Sequence, residues 1–243
     1  VSAADGSLGT AHGELLDRVR AALGTVRDPE LDESVVALDF VASCAVTGSG
    51  AAGADVEVHL RLPTYFCAPN FAFLMVADAH DAVAAVDGVR ATRIVLDDHF
   101  ASAMINGGVA ARAGFVESFA GEASAELDEL RADFLRKAVL AGQDRVARPL
   151  LAGGWTPERL CATTLGDLPA SADLDRLRHR RGLLGLPTGD DAPLLMDGAG
   201  RPVPMEAIPL HLRRARTTRV GMETNGGYCR GLLADRYRLG AAP

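Results

Sequence analysis

Apolar positions along the first hundred residues recur with two different periods. Leu15, Leu16, Val19, Ala22 and Leu23 fall at helical spacing from Glu14, and Gly24 closes the run, which predicts a first helix. Asp28-Pro29-Glu30 is a turn-forming triplet that also carries two carboxylates. Val35 to Val46, rich in Val, Phe and Ala, reads as a strand, and Gly48 to Gly53 as a flexible hairpin loop. Val56, Val58, Leu60 and Leu62 then alternate with Glu57, His59 and Arg61, the period-two signature of a half-buried strand. Pro63 to Pro69 is a loop containing Cys67. Phe71 to Val86 is an apolar helix closed by Asp87-Gly88. Val89 to Leu96 reads as a third strand, ending in Asp97-Asp98-His99, and Ser102 to Ala113 as a short helix weakened by Gly107-Gly108. The order helix, strand, strand, helix, strand, short helix describes a small two-layer α/β domain over residues 14–116, preceded by a Ser-, Ala- and Gly-rich stretch, 1–13, expected to be disordered.

Beyond residue 116 the pattern changes. Glu117 to Leu151 is acidic early and basic late, with apolar Leu127, Leu130, Phe134, Leu135, Val139 and Val146: a long helix, or a pair broken near Gly142. Thr156 suits an N-cap and Pro157 the first helical position of the next helix. Asp173 to Leu184 is an Arg-rich helix, 185–204 a Gly/Pro loop region with a hairpin signal at Asp197-Gly198, and Ile208–Thr218 and Gly227–Leu239 two last helices. The fold class expected is α+β: an α/β domain over 14–116, then a mainly helical region over 117–243 that serves docking or dimerisation.

With 48% hydrophobic residues the 243-residue chain can build a real core in one large or two small domains. No run of eighteen apolar residues exists, and the beginning lacks the basic-then-apolar order of a secretory signal. Four cysteines without paired spacing argue against a disulfide framework, and a reducing cytoplasm is the simplest compartment. The net charge of −7 hides an asymmetry: residues 201–243 carry eight Arg against Glu206, Glu223 and Asp235. Arg213, Arg214, Arg216 and Arg219 in that tail suit an acidic partner face. The tail has two Tyr and no Phe or Trp, which disfavours a base-stacking nucleic-acid surface.

Cys67 lies between an alternating strand and a helix start. Unpaired N–H groups there favour thiolate, the form that binds iron, zinc or cluster sulfide. The bland alternative is a small buried hydrophobe. His99, beside Asp97 and Asp98, is the best further ligand for a mononuclear ion, and its alternative is a lone His in a solvated turn. Cys44 and Cys161 read as core, Cys229 as either a ligand loop after Asn225-Gly226-Gly227 or a turn entering a helix, and His59 and His80 as surface or satisfied groups. The phosphate loop, the Gly-x-Ser-x-Gly elbow and His-Glu-x-x-His are absent, and nothing orients a third group toward a Cys67–His99 pair, so an enzyme is not expected.

The ordered set Glu14–Leu23, Asp28–Glu30, Leu38–Val41, Val56–Leu62, Pro63–Pro69, Phe71–Val86 and Val89–Leu96 resembles the DUF-fifty-nine family of iron–sulfur cluster assembly proteins. This is the domain of SufT, of the phenylacetate-pathway protein PaaD and of the eukaryotic cytosolic iron–sulfur targeting factor. Their loop usually reads Thr-x-x-x-Cys-Pro; here it reads Pro63-Thr64-Tyr65-Phe66-Cys67-Ala68-Pro69, with the Cys matched and the Pro displaced by one. The resemblance implies a metallocluster maturation factor that helps deliver or install iron or an iron–sulfur cluster, transiently held, in a client apo-metalloenzyme. It also implies that Asp28 and Glu30 stand near Cys67. Members with long C-terminal extensions are associated with soluble diiron monooxygenases, and this chain resembles those. One Cys cannot hold a cluster, so a homodimer bringing two Cys67 together is expected. A metal-free chaperone or adaptor for the same client is the alternative.

Overall fold

The computed structural model describes residues 3–50 and 52–238, with side chains from residue 11 onward. The described chain divides into two compact units: one holds the residues up to Leu127 together with those from Asn225, the other Asp128–Thr224.

In the first unit, helix α1 (Ala3–Leu23) places Leu15, Val19 and Leu23 one turn apart on a single buried face. It begins inside the stretch expected to be disordered, residues 1 and 2 lying outside the described residues. Strands β1 (Val41–Gly50), β2 (Gly53–Leu60) and β3 (Val89–Leu96) form a sheet in the order β1-β2-β3. β1 pairs with β2 antiparallel and β2 with β3 parallel. The parallel step needs a crossover, which helix α2 (Pro69–Ala84) supplies. The alternation seen in the sequence is the burial pattern of β2: Ala54, Val56, Val58 and Leu60 are buried, while Asp55, Glu57 and His59 lie on the other face. Buried Ala72, Phe73, Met75, Val76, Ala79 and Val83 of α2 share one apolar cluster with them. Gly53 closes the β1–β2 turn with φ +119, and a Cβ there would come within 2.7 Å of the Gly88 carbonyl, so only glycine fits. Helices α3 (Ser102–Ala110) and α4 (Phe115–Ser118) complete the segment.

Two expectations change here. The predicted strand Val35–Val46 starts only at Val41, because Ser34 caps a turn: its Oγ accepts the Ala37 N–H at 3.0 Å, and Leu38 and Phe40 donate back to Ser34 and Val35. Asp39 leaves that turn at φ 60. Val35, Leu38 and Phe40 are buried by the turn rather than by a sheet. The expected boundary at residue 116 also moves, since 117–127 and the stretch from Asn225 pack with the first unit. Phe115 and Phe119 stack at 4.7 Å, Phe119 is buried, and Leu233 sits in the same apolar cluster as β2.

The second unit holds α5 (Asp128–Ala152), α6 (Pro157–Ala162), α7 (Ala172–Leu183) and the first part of α8 (Ile208–Arg236). α5 runs unbroken through Gly142, whose missing side chain leaves room for Leu177: a Cβ would come within 3.2 Å of Leu177 Cδ1. Thr156 caps α6 as expected, its hydroxyl accepting the Arg159 N–H at 3.3 Å ahead of Pro157. The hairpin at Asp197-Gly198 is present as a bridge between Met196 and Pro202. The two expected last helices are one, continuous through Gly226-Gly227; the expected end at Leu239 lies outside the described residues. Among the described residues no helix is long and apolar enough to cross a membrane.

Candidate functional site

The site is built where β2 gives way to α2, in the first unit. Leu62 is buried at the end of the strand, and the chain then turns through Pro63–Ala68 before Pro69 opens α2. Cys67 is half-buried on this loop. The Thr64 hydroxyl accepts the Phe66 N–H at 3.2 Å and stands 3.3 Å from the Cys67 sulfur, a hydrogen bond in which either the hydroxyl or the thiol can donate. The side chains around the loop are aromatic and exposed. Tyr65 and Phe66 meet edge to face at 5.1 Å, and Phe100 stands 6.3 and 6.2 Å from them. Phe66 is 78% exposed.

His99 has a different job from the one expected. It is buried; its Nε2 donates to the Cys67 carbonyl at 2.7 Å, and its Nδ1 accepts the Ala101 N–H at 3.2 Å. That pattern requires the neutral tautomer with the proton on Nε2, and it engages both nitrogens. Burial, with the nearby Arg236 charge, pulls its pKa down and keeps it neutral, against the Cys67 carbonyl that raises it. His99 therefore clamps the backbone of Cys67 and has no free lone pair for a metal, which corrects its expected place in the ligand set.

Asp28 and Glu30 occupy the turn after α1. Asp28 is only 8% exposed, and its Oδ1 accepts N–H groups of Glu30 and Leu31, both at 2.9 Å. Burial pushes its carboxyl up to about 6, against those two hydrogen bonds, with the charges of Glu30 and Glu33 adding to the rise. Glu30 is exposed.

A fourth group arrives from the far end of the chain. Cys229, on α8, is half-buried and packs against the same apolar cluster as Cys67. Burial first, then the negative charges of Asp28, Cys67 and Glu30, push its thiol up to about 11; Arg230 opposes them. Cys67, Cys229, Asp28 and Glu30 thus share one neighbourhood. The sequence carries a signal for this placement: Gly226, Cys229, Leu233 and Arg236 fall at spacings of three, four and three, one face of a helix. Among the described residues no three His, Cys, Asp or Glu side chains already stand in metal-ligating geometry. Thiols and carboxylates are donor types that suit iron or zinc.

The remaining candidates lie elsewhere. Cys44 is half-buried on β1, and the half-buried Cys161 thiol lies 3.6 Å from the Val203 carbonyl in the second unit. His59 is held by Asp97 and Glu57 at 3.0 and 3.1 Å, and His80 by Asp81 at 3.4 Å. In the second unit Arg213, Arg216 and Arg219 line a cavity of about 630 Å³ with Arg148, Leu151, Leu212 and Asp144. Arg219 is committed to Asp144 and Glu223, and Arg214 lines a neighbouring cavity with Leu140, Thr217 and Thr218.

The small α+β domain thus presents Cys67 on the loop between an alternating strand and a crossover helix. Residues 16–95 match the family described as iron-sulfur cluster assembly protein, so this part of the chain is a domain of that family. The match runs from α1 to β3 and includes Asp28, Glu30 and Cys67; His99 and Cys229 lie beyond it. Comparison with curated proteins and with solved structures gave no significant match.

Proposed function

We propose that the protein is a non-catalytic maturation factor that receives iron or an iron–sulfur cluster at Cys67 and hands it to a client apo-metalloenzyme. The family of residues 16–95 supports a role in cluster assembly. The observation that carries the finer reading is the Cys67 loop itself. A thiol hydrogen-bonded to the Thr64 hydroxyl, on a loop held by the His99 clamp, sits beside three exposed aromatic rings, Tyr65, Phe66 and Phe100. Such a patch is an interaction surface, and here it surrounds the one sulfur to be shared with a client. When cargo is bound, thiolate supplies the soft ligand and the carboxylates of Asp28 and Glu30 supply hard ones. The resemblance to extended members of the family points to a diiron monooxygenase as client. The Arg213, Arg214 and Arg216 surface offers cationic groups to an acidic face of that client.

The test is the iron and sulfide content of protein purified without oxygen, wild type against Cys67→Ala, together with activation of the co-expressed client. Metal present in the wild type and lost in Cys67→Ala is expected. Equal metal in both removes Cys67 as a ligand. No metal in either, with client capture surviving the substitution, leaves a metal-free adaptor.

A further inference from the structure

The geometry points to Cys229 as a second thiolate donor that this chain supplies to Cys67 from its own C-terminal helix, making an intramolecular two-sulfur site for a thiophilic divalent cation. The inference rests on the reading of Cys67 as a cargo site, and it extends that reading to a residue outside the family's matched segment.

Four observations on one face of α8 place Cys229. Three residues before it, Gly226 packs so closely on the turn after α1 that a Cβ would stand 2.7 Å from Glu33 Oε1. One residue after it, Arg230 pairs with Glu33. Four residues after it, Leu233 is buried in the apolar cluster that also receives Cys67 and Cys229. Seven residues after it, Arg236 donates to the Leu62 carbonyl at 3.0 Å and the Asp98 carbonyl at 2.6 Å, the first at the root of the Cys67 loop and the second next to His99. At 100° per residue, positions 226, 229, 233 and 236 share a face. Cys229 is therefore held between an anchor on the Asp28–Glu33 turn and an anchor on the Cys67 loop. The charges that act on its thiol, from Asp28, Cys67 and Glu30, are those this placement requires.

The glycines support the assignment. Two adjacent glycines inside a helix cost about 1 kcal/mol each relative to alanine. Gly226 is buried against the Glu33 carboxylate, which would have to shift to admit a Cβ. The chain accepts a weak helix here and gains a close approach that sets Cys229 beside the turn. Two thiolates are a partial coordination shell for Fe²⁺, Zn²⁺ or the probe ions Co²⁺ and Cd²⁺. A partial shell leaves positions for the client's ligands, which is what transfer needs. It also removes the need for a second copy of the chain to bring a second sulfur.

The probe is Co²⁺ added without oxygen to the full-length reduced protein, read as sulfur-to-cobalt charge-transfer absorption. The wild type is expected to show the band. Cys229→Ser is expected to keep about half its intensity, one thiolate of two remaining, and to bind more weakly. Cys67→Ser should behave likewise, the double variant should show none, and Cys44→Ser and Cys161→Ser should match the wild type. A Cys229→Ser band equal to that of the wild type overturns the inference while leaving Cys67 as the cargo ligand. No band in the wild type overturns it as well. The reading of Cys67 itself falls on different results, iron and sulfide retained by Cys67→Ala as purified or absent from the wild type as well. Should Cys229→Ser fail to fold, dibromobimane on the reduced wild type decides: a bridged Cys67–Cys229 peptide pair supports the site, and separately labelled thiols overturn it.

Discussion

The two units bury polar groups for different reasons. In the sheet-containing unit, strand pairing satisfies most of the buried backbone, and the buried polar side chains Asp28, Asp32 and His99 lie on the turn after α1 and beside the Cys67 loop. In the helical unit, residues 190–203 form isolated bridges and loop hydrogen bonds, and buried side chains satisfy backbone groups that these leave open. Arg181, fully buried, donates to the carbonyls of Pro193 and Leu194 at 2.9 and 2.6 Å. Gln143 imitates a strand partner, donating to the Met196 carbonyl at 3.1 Å and accepting the Met196 N–H at 2.9 Å. Burial pushes the Arg181 guanidinium down to about 10, the mark of a cation held dry for its hydrogen bonds. Polar burial in one unit holds up a fold; in the other it gathers at the candidate site.

The sharpest way to break this contrast is Arg181→Leu. It keeps an apolar stem but leaves two buried carbonyls unpaired, at a cost of about 3 kcal/mol. Thermal denaturation and hydrogen exchange should show the loss in residues 128–224. A neutral or stabilising result would mean that the dry arginine contributes nothing, and the comparison would fail.

His99→Leu tests the other side. Losing the clamp on the Cys67 carbonyl should cost about 1–2 kcal/mol, with a local signature: faster alkylation of Cys67 and faster exchange in the 63–68 loop. A uniform loss of stability with Cys67 reactivity unchanged would make His99 an ordinary core residue.

The smallest effect is expected on the open face of the sheet. Asp97 and Glu57 raise the pKa of His59, the hydrogen bond that its ring donates to Asp97 being the largest cause. The folded state therefore holds that proton more tightly than the unfolded chain. The stabilisation, about 1 kcal/mol or less for such a surface pair, is complete below pH 6.5 and fades as pH rises through the elevated value. His59→Gln should melt lower than the wild type at pH 6 and together with it at pH 9. A gap that persists at pH 9 would place the contribution of His59 in packing instead of charge.

The legible part of the protein was the part whose neighbours in space are also periodic in sequence. The alternation of β2, the apolar stripe of α2, the Thr156-Pro157 helix start and the position of Cys67 before α2 could all be read from local pattern. The Val35–Phe40 turn was misread because its buried Val, Leu and Phe have strand composition, while the Ser34 cap that bends them is a single side-chain contact. His99 was misplaced for a similar reason: sequence shows a histidine next to two aspartates, not that both its nitrogens are already in use.

Sequence by itself determined the element order from α1 to β3, the α+β class and the candidate thiol at Cys67, because helix and strand periods are imposed residue by residue by backbone geometry. Only the tertiary structure decided that Cys229 joins Asp28, Glu30 and Cys67, and that α8 crosses Gly226-Gly227 without a break. The contacts that place α8, between residues 138 to 197 positions apart, leave no period in the chain. They are written instead in the fit of one glycine against Glu33, one leucine in a shared core and one arginine on two carbonyls.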